Sequence, residues 1–292
     1  MLAHTVFVYS TPLHSAIRSE TDLRALQALI RACPRVLHAK TIYDDTPLHL
    51  ACLRKVSAEV VHEVALASCQ GLEVSLAKGM AITISPILLE NTAGQTPISI
   101  AMEEYLKAFG GTPRHCAVKS DLTINKRAFD VLATLTKMLH YGPATVEEAE
   151  GQNLVLACVC LHRKNVRLDP TFVRRAILAS PEQVSECDEH GNYPLHLEAG
   201  IPIEKMSLLD GARQGCCGGA CAQRTGVLRL LLDIYPQAAR QRNDHGDFPL
   251  SLMIQNGRRW DSTFSMVLHA HPQAFHWVEG VRQTYVPLIL SR

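Results

Sequence analysis

A six-residue phrase returns several times along this chain. Residues 11–16 read Thr-Pro-Leu-His-Ser-Ala, residues 46–51 read Thr-Pro-Leu-His-Leu-Ala, and weaker copies begin at Thr96, Tyr193 and Phe248. In the full copies a hydroxyl can accept from the free N–H groups of a helix start, Pro fits the first helical position, and Leu points inward. Phrases repeated every few tens of residues are typical of stacked units, none of which buries its apolar face alone. The sequence therefore predicts a solenoid.

The full copy at residues 46–51 resembles the Thr-Pro-Leu-His-x-Ala opening of ankyrin repeats. The resemblance implies an all-α ankyrin-repeat solenoid of about six helix-turn-helix units, joined by β-turn fingers in a single domain over residues 1–292. The expected units cover residues 11–45, 46–95, 96–151, 152–192, 193–247 and 248–286, with a partial unit at 287–292. We also expect the His of the phrase to tie each helix start to neighbouring backbone through a ring nitrogen.

A second phrase supports the same register. Apolar, helix-like stretches end just before Pro34, Pro181, Pro236 and Pro272, where Pro stops the preceding helix. The same number of residues separates Pro34 from Leu48, Pro181 from Leu195 and Pro236 from Leu250. This agreement predicts that the inward Leu returns at Leu13, Leu48, Ile98, Leu154, Leu195, Leu250 and Leu288.

Turn signals lie between the two phrases. Gly94, Gly191 and Gly246 stand where a tight turn needs a positive φ. Asp44 takes the equivalent place in the first copy, and Asp tolerates that conformation better than most residues. These segments are the expected fingers.

Several repeat intervals exceed the roughly 33 residues of an ankyrin unit, which predicts insertions. The candidate segments are 69–90, 110–123, 142–151 and 200–224. We expect the first to lengthen a finger region, and 110–123 and 200–224 to separate the first helix of a unit from the second.

Composition excludes some classes of function. The formal net charge of +1 provides no basic field for nucleic acid. No apolar run approaches the roughly 20 residues of a membrane-spanning helix, and the first ten residues do not resemble a secretory signal. We therefore expect an intracellular protein, cytoplasmic or nuclear, with reduced thiols. Cys33, Cys52 and Cys158 are predicted on core faces, and the pair Arg258 and Arg259 at the surface.

The strongest chemical alternative is a zinc- or thiol-dependent sensor or enzyme built on Cys216, Cys217 and Cys221 in a Gly-rich segment. No paired Cys-x-x-Cys knuckle accompanies them, so a flexible insertion is the simpler interpretation. Cys158, Cys160 and His162 form a second cluster, but helical spacing points Cys160 away from the other two. We find no catalytic motif, and we expect neither a cofactor nor a small-molecule substrate.

The predicted function is non-catalytic protein recognition. In ankyrin-like stacks the finger tips and first helices form the binding surface, and the partner is another protein rather than nucleic acid or a membrane. The predicted partner-binding residues are Tyr43, Asp45, Arg54, Gln95, Glu103, Glu104, Glu189, His190, Asn192, Asp244, His245, Asp247, Gln255 and Asn256. Glu189, Asp244 and Asp247 make the C-terminal part of this set acidic, which indicates a basic partner segment.

Overall fold

A computed structural model describes residues 11–20, 22–54, 56–76, 85–109, 122–163, 166, 168–201, 220–258 and 262–277. Every regular element in these ranges is helical. The chain divides into two compact units, Met1–Gln152 and Asn153–Arg292. The prediction of an all-helical chain is confirmed over the described residues, and a single domain over residues 1–292 stays a prediction.

Short helices begin at the Pro of the recurring phrase, as predicted. They are α1 (Pro12–Arg18) and α3 (Pro47–Leu53) in the first unit, and α10 (Pro194–Ala199) and α12 (Pro249–Gln255) in the second. Two longer helices occupy the same place in their pairs, α5 (Pro97–Phe109) and α8 (Leu154–Arg163). We call these six the first helices.

The helices that pair with these six are the second helices of the two units. They are α2 (Leu23–Ala32), α4 (Ala58–Leu76), α6 (Leu122–Tyr141), α9 (Pro170–Ala179), α11 (Ala220–Ile234) and α13 (Ser262–Ala270). A further short helix, α7 (Val146–Glu150), begins at a Thr145 capping box. Sequence reasoning did not predict α7.

Proline ends the second helices at the expected places. Helices α2, α9, α11 and α13 each stop two residues before a Pro. The residue between them is non-helical where its dihedrals are described, as in Cys33 with φ −145° and ψ 77°. Pro disfavours helical backbone in the residue before it, which explains the stop. Each Pro also opens a short 3-10 helix, which the sequence did not predict: Pro34–His38, Pro181–Ser185, Pro236–Arg240 and Pro272–Trp277.

Within each unit the helices pack in two rows. In the first unit α1 contacts α3 and α3 contacts α5, while α2 contacts α4 and α4 contacts α6. In the second unit α8, α10 and α12 form one row, and α9, α11 and α13 form the other. The predicted inward positions lie between these rows, all at most 6% exposed: Leu13, Leu48, Ile98, Leu154, Leu195 and Leu250. That prediction is confirmed for the described copies, and Leu288 lies outside the described residues.

Small residues follow the phrase where first helices approach each other. Ala51, Ala101 and Ala157 are at most 2% exposed. Glu198 takes this position in α10, and it is also buried. The guanidinium of Arg258 donates to the Glu198 carbonyl oxygen at 2.8 Å, and Arg258 is only 3% exposed. The expectation that Arg258 lies at the surface is therefore wrong.

Other expectations differ from the structure in detail. Helix α4 continues to Leu76, so the first part of the supposed 69–90 insertion extends a second helix rather than a finger. The candidates 110–123 and 200–224 contain residues 110–121 and 202–219, which lie outside the described residues, whereas the candidate 142–151 is described and contains α7. Cys52 and Cys158 are buried as predicted, and burial raises the pKa of Cys52 to about 12. The prediction that Cys33 lies on a core face is wrong: Cys33 is exposed, because it lies in the non-helical link between α2 and Pro34.

A helix that crosses a membrane must be both long and apolar, and none of the described helices is both.

The phrase histidine ties its helix start to a later segment of the chain. In His14, His49 and His196 the ring Nδ1 accepts from the backbone amide three residues earlier, at 3.2–3.3 Å. Nε2 then donates to a carbonyl further along the chain, that of Asp45, Gln95 or Gln241, at 3.1–3.2 Å. Both nitrogens of a neutral imidazole are thus used, one as acceptor and one as donor. The expected tie through the His ring is confirmed.

Acid should therefore destabilise the fold. Burial lowers the pKa of His14, His49 and His196 below the ordinary value of 6.5, because a buried imidazolium is poorly solvated and Nδ1 already accepts a hydrogen bond. Above that value both the folded and the unfolded chain hold these rings neutral. Below it the unfolded chain binds protons more readily, so the free energy of unfolding falls as the pH drops below about 6.5.

His49→Leu tests this dependence. At pH 7.5 the variant should lose about 1–3 kcal/mol, because the Thr46 amide and the Gln95 carbonyl lose a buried partner. Between pH 7 and pH 5.5 it should lose less further stability than the wild type, since one titrating ring is gone. Urea unfolding followed by circular dichroism measures both effects. His190→Leu, at an exposed turn, is the control and should keep the wild-type acid sensitivity; equal slopes in all three proteins would contradict the role of His49.

Candidate functional site

Four of the described connections between helix pairs are turns that share one backbone design; the link between α6 and α8, which contains α7, is different. They span residues 41–45 and 91–95 in the first unit, and 188–192 and 243–247 in the second. In each turn the first amide donates to the fifth carbonyl and the fourth amide donates to the first carbonyl, at 2.9–3.1 Å. The fourth residue has a positive φ, which is 60° in Asp44 and 71°, 70° and 82° in Gly94, Gly191 and Gly246. The predicted turn positions, including the Asp in place of Gly, are confirmed.

The side chain of the first turn residue closes each turn from within. Thr41, Asn91, Asp188 and Asn243 each accept from the amides of the third and fifth residues, at 2.8–3.2 Å. Short side chains with an oxygen are suited to such local bonds. Sequence reasoning missed this role, although Thr, Asn or Asp at the same turn position in all four copies was a readable signal.

In the first unit the two turns are bonded directly to each other. The amide and the hydroxyl of Thr92 both donate to the Tyr43 carbonyl at 3.0 Å. The Asn91 amide group donates to Asp45 Oδ1 at 2.8 Å. Beside this junction the side chains of Ile42 and Tyr43 are 45% and 62% exposed. The junction thus holds an aromatic and an aliphatic side chain in solvent.

The two turns of the second unit repeat this junction. The Asp244 amide donates to the His190 carbonyl at 3.0 Å, and Asn243 Nδ2 donates to Asn192 Oδ1 at 2.9 Å. The imidazoles of His190 and His245 lie side by side, with ring centroids 6.4 Å apart. Glu189 Oε1 is 3.7 Å from His190 Nε2. The second and third residues of these two turns, Glu189, His190, Asp244 and His245, form the tip of the second unit. This tip is polar and carries both carboxylates and imidazoles.

The fifth turn residue also connects to the first helix that follows it. Gln95 Nε2 donates to Glu103 Oε1 at 3.2 Å on α5, and Gln255 Nε2 on α12 donates to Asp247 Oδ1 at 2.9 Å. Asn256 Nδ2 donates to the Leu252 carbonyl at 2.7 Å. Because these side chains already form hydrogen bonds within the protein, fewer of their donors and acceptors are free for a partner than the sequence analysis assumed.

The structure places most of the predicted partner-binding residues at accessible positions. Those exposed are Tyr43, Arg54, Glu103, Glu189, His190, Asp244, His245 and Gln255, and those half-buried are Asp45, Gln95, Glu104, Asp247 and Asn256. Asn192 is different, since it is only 9% exposed. Its side chain bonds to Asp188 and Asn243. Asn192 therefore joins the two turns rather than facing a partner.

An open groove between α11 and α13 contains the residue types of a Ser-His-Asp triad. Its lining includes Ser265, His269 and Asp233. In a catalytic triad the Ser faces Nε2 and the Asp holds Nδ1. Here the Ser265 hydroxyl and carbonyl oxygens both lie near His269 Nδ1 rather than Nε2, at 3.3 Å and 2.6 Å. Asp233 Oδ2 lies 3.7 Å from Arg229 Nε instead of at the imidazole. The three side chains are therefore not arranged as nucleophile, base and orienting acid.

The proposed thiol site lies mostly beyond the described ranges. Cys216 and Cys217 are outside them, and Cys221 is described only as part of the α11 backbone. In the second cluster Cys158 is fully buried and Cys160 is half-buried. Across the part of the chain that the structure describes, no three His, Cys, Asp or Glu side chains are grouped to hold a metal ion.

Comparison with known proteins yields only weak structural similarity among the matches considered. No protein-family model and no curated protein matches the chain. One solved structure is described as the Bd0816 predatory endopeptidase from Bdellovibrio bacteriovorus in complex with immunity protein Bd3460, and a chain in it is similar to this one. The similarity covers 89% of this chain and 98% of that chain, with 15% identity and a TM-score of 0.32. At this TM-score the similarity supports no argument about function.

Gly191→Ala should destabilise the second unit more than Gly246→Ala. Both substitutions place a Cβ at a positive φ, which costs about 1–2 kcal/mol. At Gly191 the new Cβ would also lie 2.7 Å from Asp244 Oδ1 and 3.2 Å from the Asp244 amide nitrogen, whereas nothing lies within 4 Å at Gly246. Displacing Asp244 weakens its bond to the His190 carbonyl, which adds about 1 kcal/mol. Urea midpoints of the two variants measure the difference, and equal midpoints would refute the close approach of the turns.

Proposed function

We propose that the chain is an intracellular, non-catalytic protein-recognition module of the ankyrin-repeat type. Its partner binds at the turn tips and the adjacent exposed residues of first helices, and no cofactor or small-molecule substrate takes part. The Thr-Pro-Leu-His phrase, the two rows of helices within each unit and the shared turn design support this proposal. The repeat organisation belongs to the proposal, as does the location in the cytoplasm or nucleus.

The direct bonding of one turn to the next is the observation that carries the proposal. Each junction uses a backbone hydrogen bond together with one between side chains, at 2.8–3.0 Å. A surface that is already ordered loses little conformational freedom when a partner binds. The side chain of the first residue is used within its own turn. Apart from Thr92, whose hydroxyl bonds to Tyr43, the side chains of the second and third residues are therefore left to meet the partner.

The two units offer different chemistry to a partner. In the first unit Tyr43 stands beside Ile42, with Arg54 exposed at the end of α3. Tyr and Arg are enriched among residues that dominate binding energy. In the second unit Glu189 and Asp244 are exposed beside the two imidazoles. We therefore propose that the first tip, Ile42 and Tyr43, provides an apolar anchor. The second tip, which is the tip of the second unit, binds a basic segment of the partner.

Tyr43→Ala should weaken partner binding strongly. A buried aromatic anchor contributes at least about 2 kcal/mol to binding, which corresponds to roughly 30-fold in Kd. A partner is first isolated by affinity capture with the intact chain, and Kd is then measured by titration calorimetry. Tyr141→Ala is the matched control, since Tyr141 is also an exposed Tyr of the first unit but lies at the end of α6. If both variants bind like the wild type, the first tip is not the binding surface.

Neutralising the second tip should reduce the salt dependence of binding. In the double variant Glu189→Gln, Asp244→Asn, we expect roughly fivefold weaker binding at low salt, because exposed charge pairs contribute about 0.5 kcal/mol each. The difference should shrink as salt screens the charges. Glu182→Gln, Asp233→Asn makes the same charge change at exposed positions of the second unit away from the tip. A basic partner segment is refuted if the two double variants have the same affinity and the same salt dependence.

A further inference from the structure

The second unit brings two imidazoles together at equivalent positions of neighbouring turns. His190 and His245 are each the third residue of their turn, and both are exposed. Their ring centroids are 6.4 Å apart and the ring planes are inclined by 35°. No hydrogen bond within the turns requires either ring, since the turn bonds of these residues use their backbone groups. Both imidazoles are therefore available as ligands.

Hydrogen bonds beneath the two imidazoles hold the turns 188–192 and 243–247 at a fixed separation. The Asp244 amide donates to the His190 carbonyl, so one turn is bonded to the other directly beneath the two rings. The bond from Asn243 Nδ2 to Asn192 Oδ1 ties the same turns a second time. Chelation by two side chains is favoured when their backbones are ordered beforehand, since only side-chain rotation remains to be fixed.

We propose that His190 and His245 together bind one divalent transition-metal ion between the two tips of the second unit. A metal–nitrogen bond of about 2.0–2.1 Å places the centres of two imidazoles about 5 Å apart on a tetrahedral ion, and about 4.5 Å apart at the right angles that Ni²⁺ prefers. Rotation of the two exposed side chains to other rotamers closes the remaining gap of about 1–2 Å. Water completes the coordination, because the described residues place no third His, Cys, Asp or Glu side chain for the ion.

The chemistry of the donors selects the ion. Imidazole suits Ni²⁺, Cu²⁺ and Zn²⁺, whereas Mg²⁺ and Ca²⁺ prefer oxygen ligands. The nearby carboxylates of Glu189 and Asp244 add negative charge around the ion, since Glu189 Oε1 is 3.7 Å from His190 Nε2. Metal binding at this pair requires no partner protein, so it stands or fails independently of the proposed recognition function.

Titration calorimetry with Ni²⁺ tests the site on the full chain. Ni²⁺ is chosen because thiolates compete less for it than for Zn²⁺, and any binding at the Cys216 to Cys221 segment is common to all the variants. The wild type should show one saturable Ni²⁺ site that disappears in His190→Gln and in His245→Gln. His269→Gln removes an exposed imidazole on α13 of the same unit and should retain the site.

Two further measurements test whether Ni²⁺ binds at the folded site and whether the site selects against Mg²⁺ and Ca²⁺. Addition of Ni²⁺ should raise the urea midpoint of the wild type and of His269→Gln, but not of the two tip variants, because a ligand that binds only the folded state stabilises it. Millimolar Mg²⁺ or Ca²⁺ should not displace the Ni²⁺. The proposal is overturned if Ni²⁺ binding is absent, if it survives in both tip variants, or if Mg²⁺ and Ca²⁺ compete for the site.

Discussion

The buried imidazole at the start of the first helices is the interaction on which the described architecture depends. In His14, His49 and His196, Nδ1 accepts from the start of its own helix and Nε2 donates to a carbonyl of a later segment. A buried polar group is tolerated only when it is hydrogen-bonded, and these rings are at most 1% exposed. One side chain thus fixes both the helix start and the segment that passes beside it.

In the turns, too, most polar groups have a defined hydrogen-bonding role. The first residue of each turn closes the turn, the fourth supplies the positive φ, and in the two direct junctions the fifth bonds to the neighbouring turn. These positions are constrained by geometry and hydrogen bonding. The second and third positions carry fewer such duties, so their side chains vary among Ile, Tyr, Thr, Ala, Glu, Asp and His. A constant backbone therefore presents different chemistry at each tip.

Sequence reasoning succeeded where the cause is local. The helix starts at Pro47 and Pro194, the stop before Pro236 and the positive φ of Asp44 follow from the preferences of single residues. It failed where the cause lies in segments distant along the chain. Asn192 is buried because Asn243 of the next turn bonds to it, and Arg258 is buried because the Glu198 carbonyl is beside it. Local preferences do not reveal such partners. The candidate surface was therefore predicted in outline, while the inward-facing role of Asn192 was not.

The identity of adjacent tips decides which side chains each unit exposes. In the first unit Tyr43 lies next to a turn that carries Thr92 and Ala93 at its second and third positions, and these small side chains leave the aromatic ring uncovered. In the second unit both third positions are His, so equivalent geometry brings two imidazoles together instead. The same junction thus produces an isolated apolar anchor in one unit and a paired polar site in the other. Because neither arrangement alters the bonds that hold the turns, the exposed side chains at the tips can change without a corresponding change in the helices beneath them.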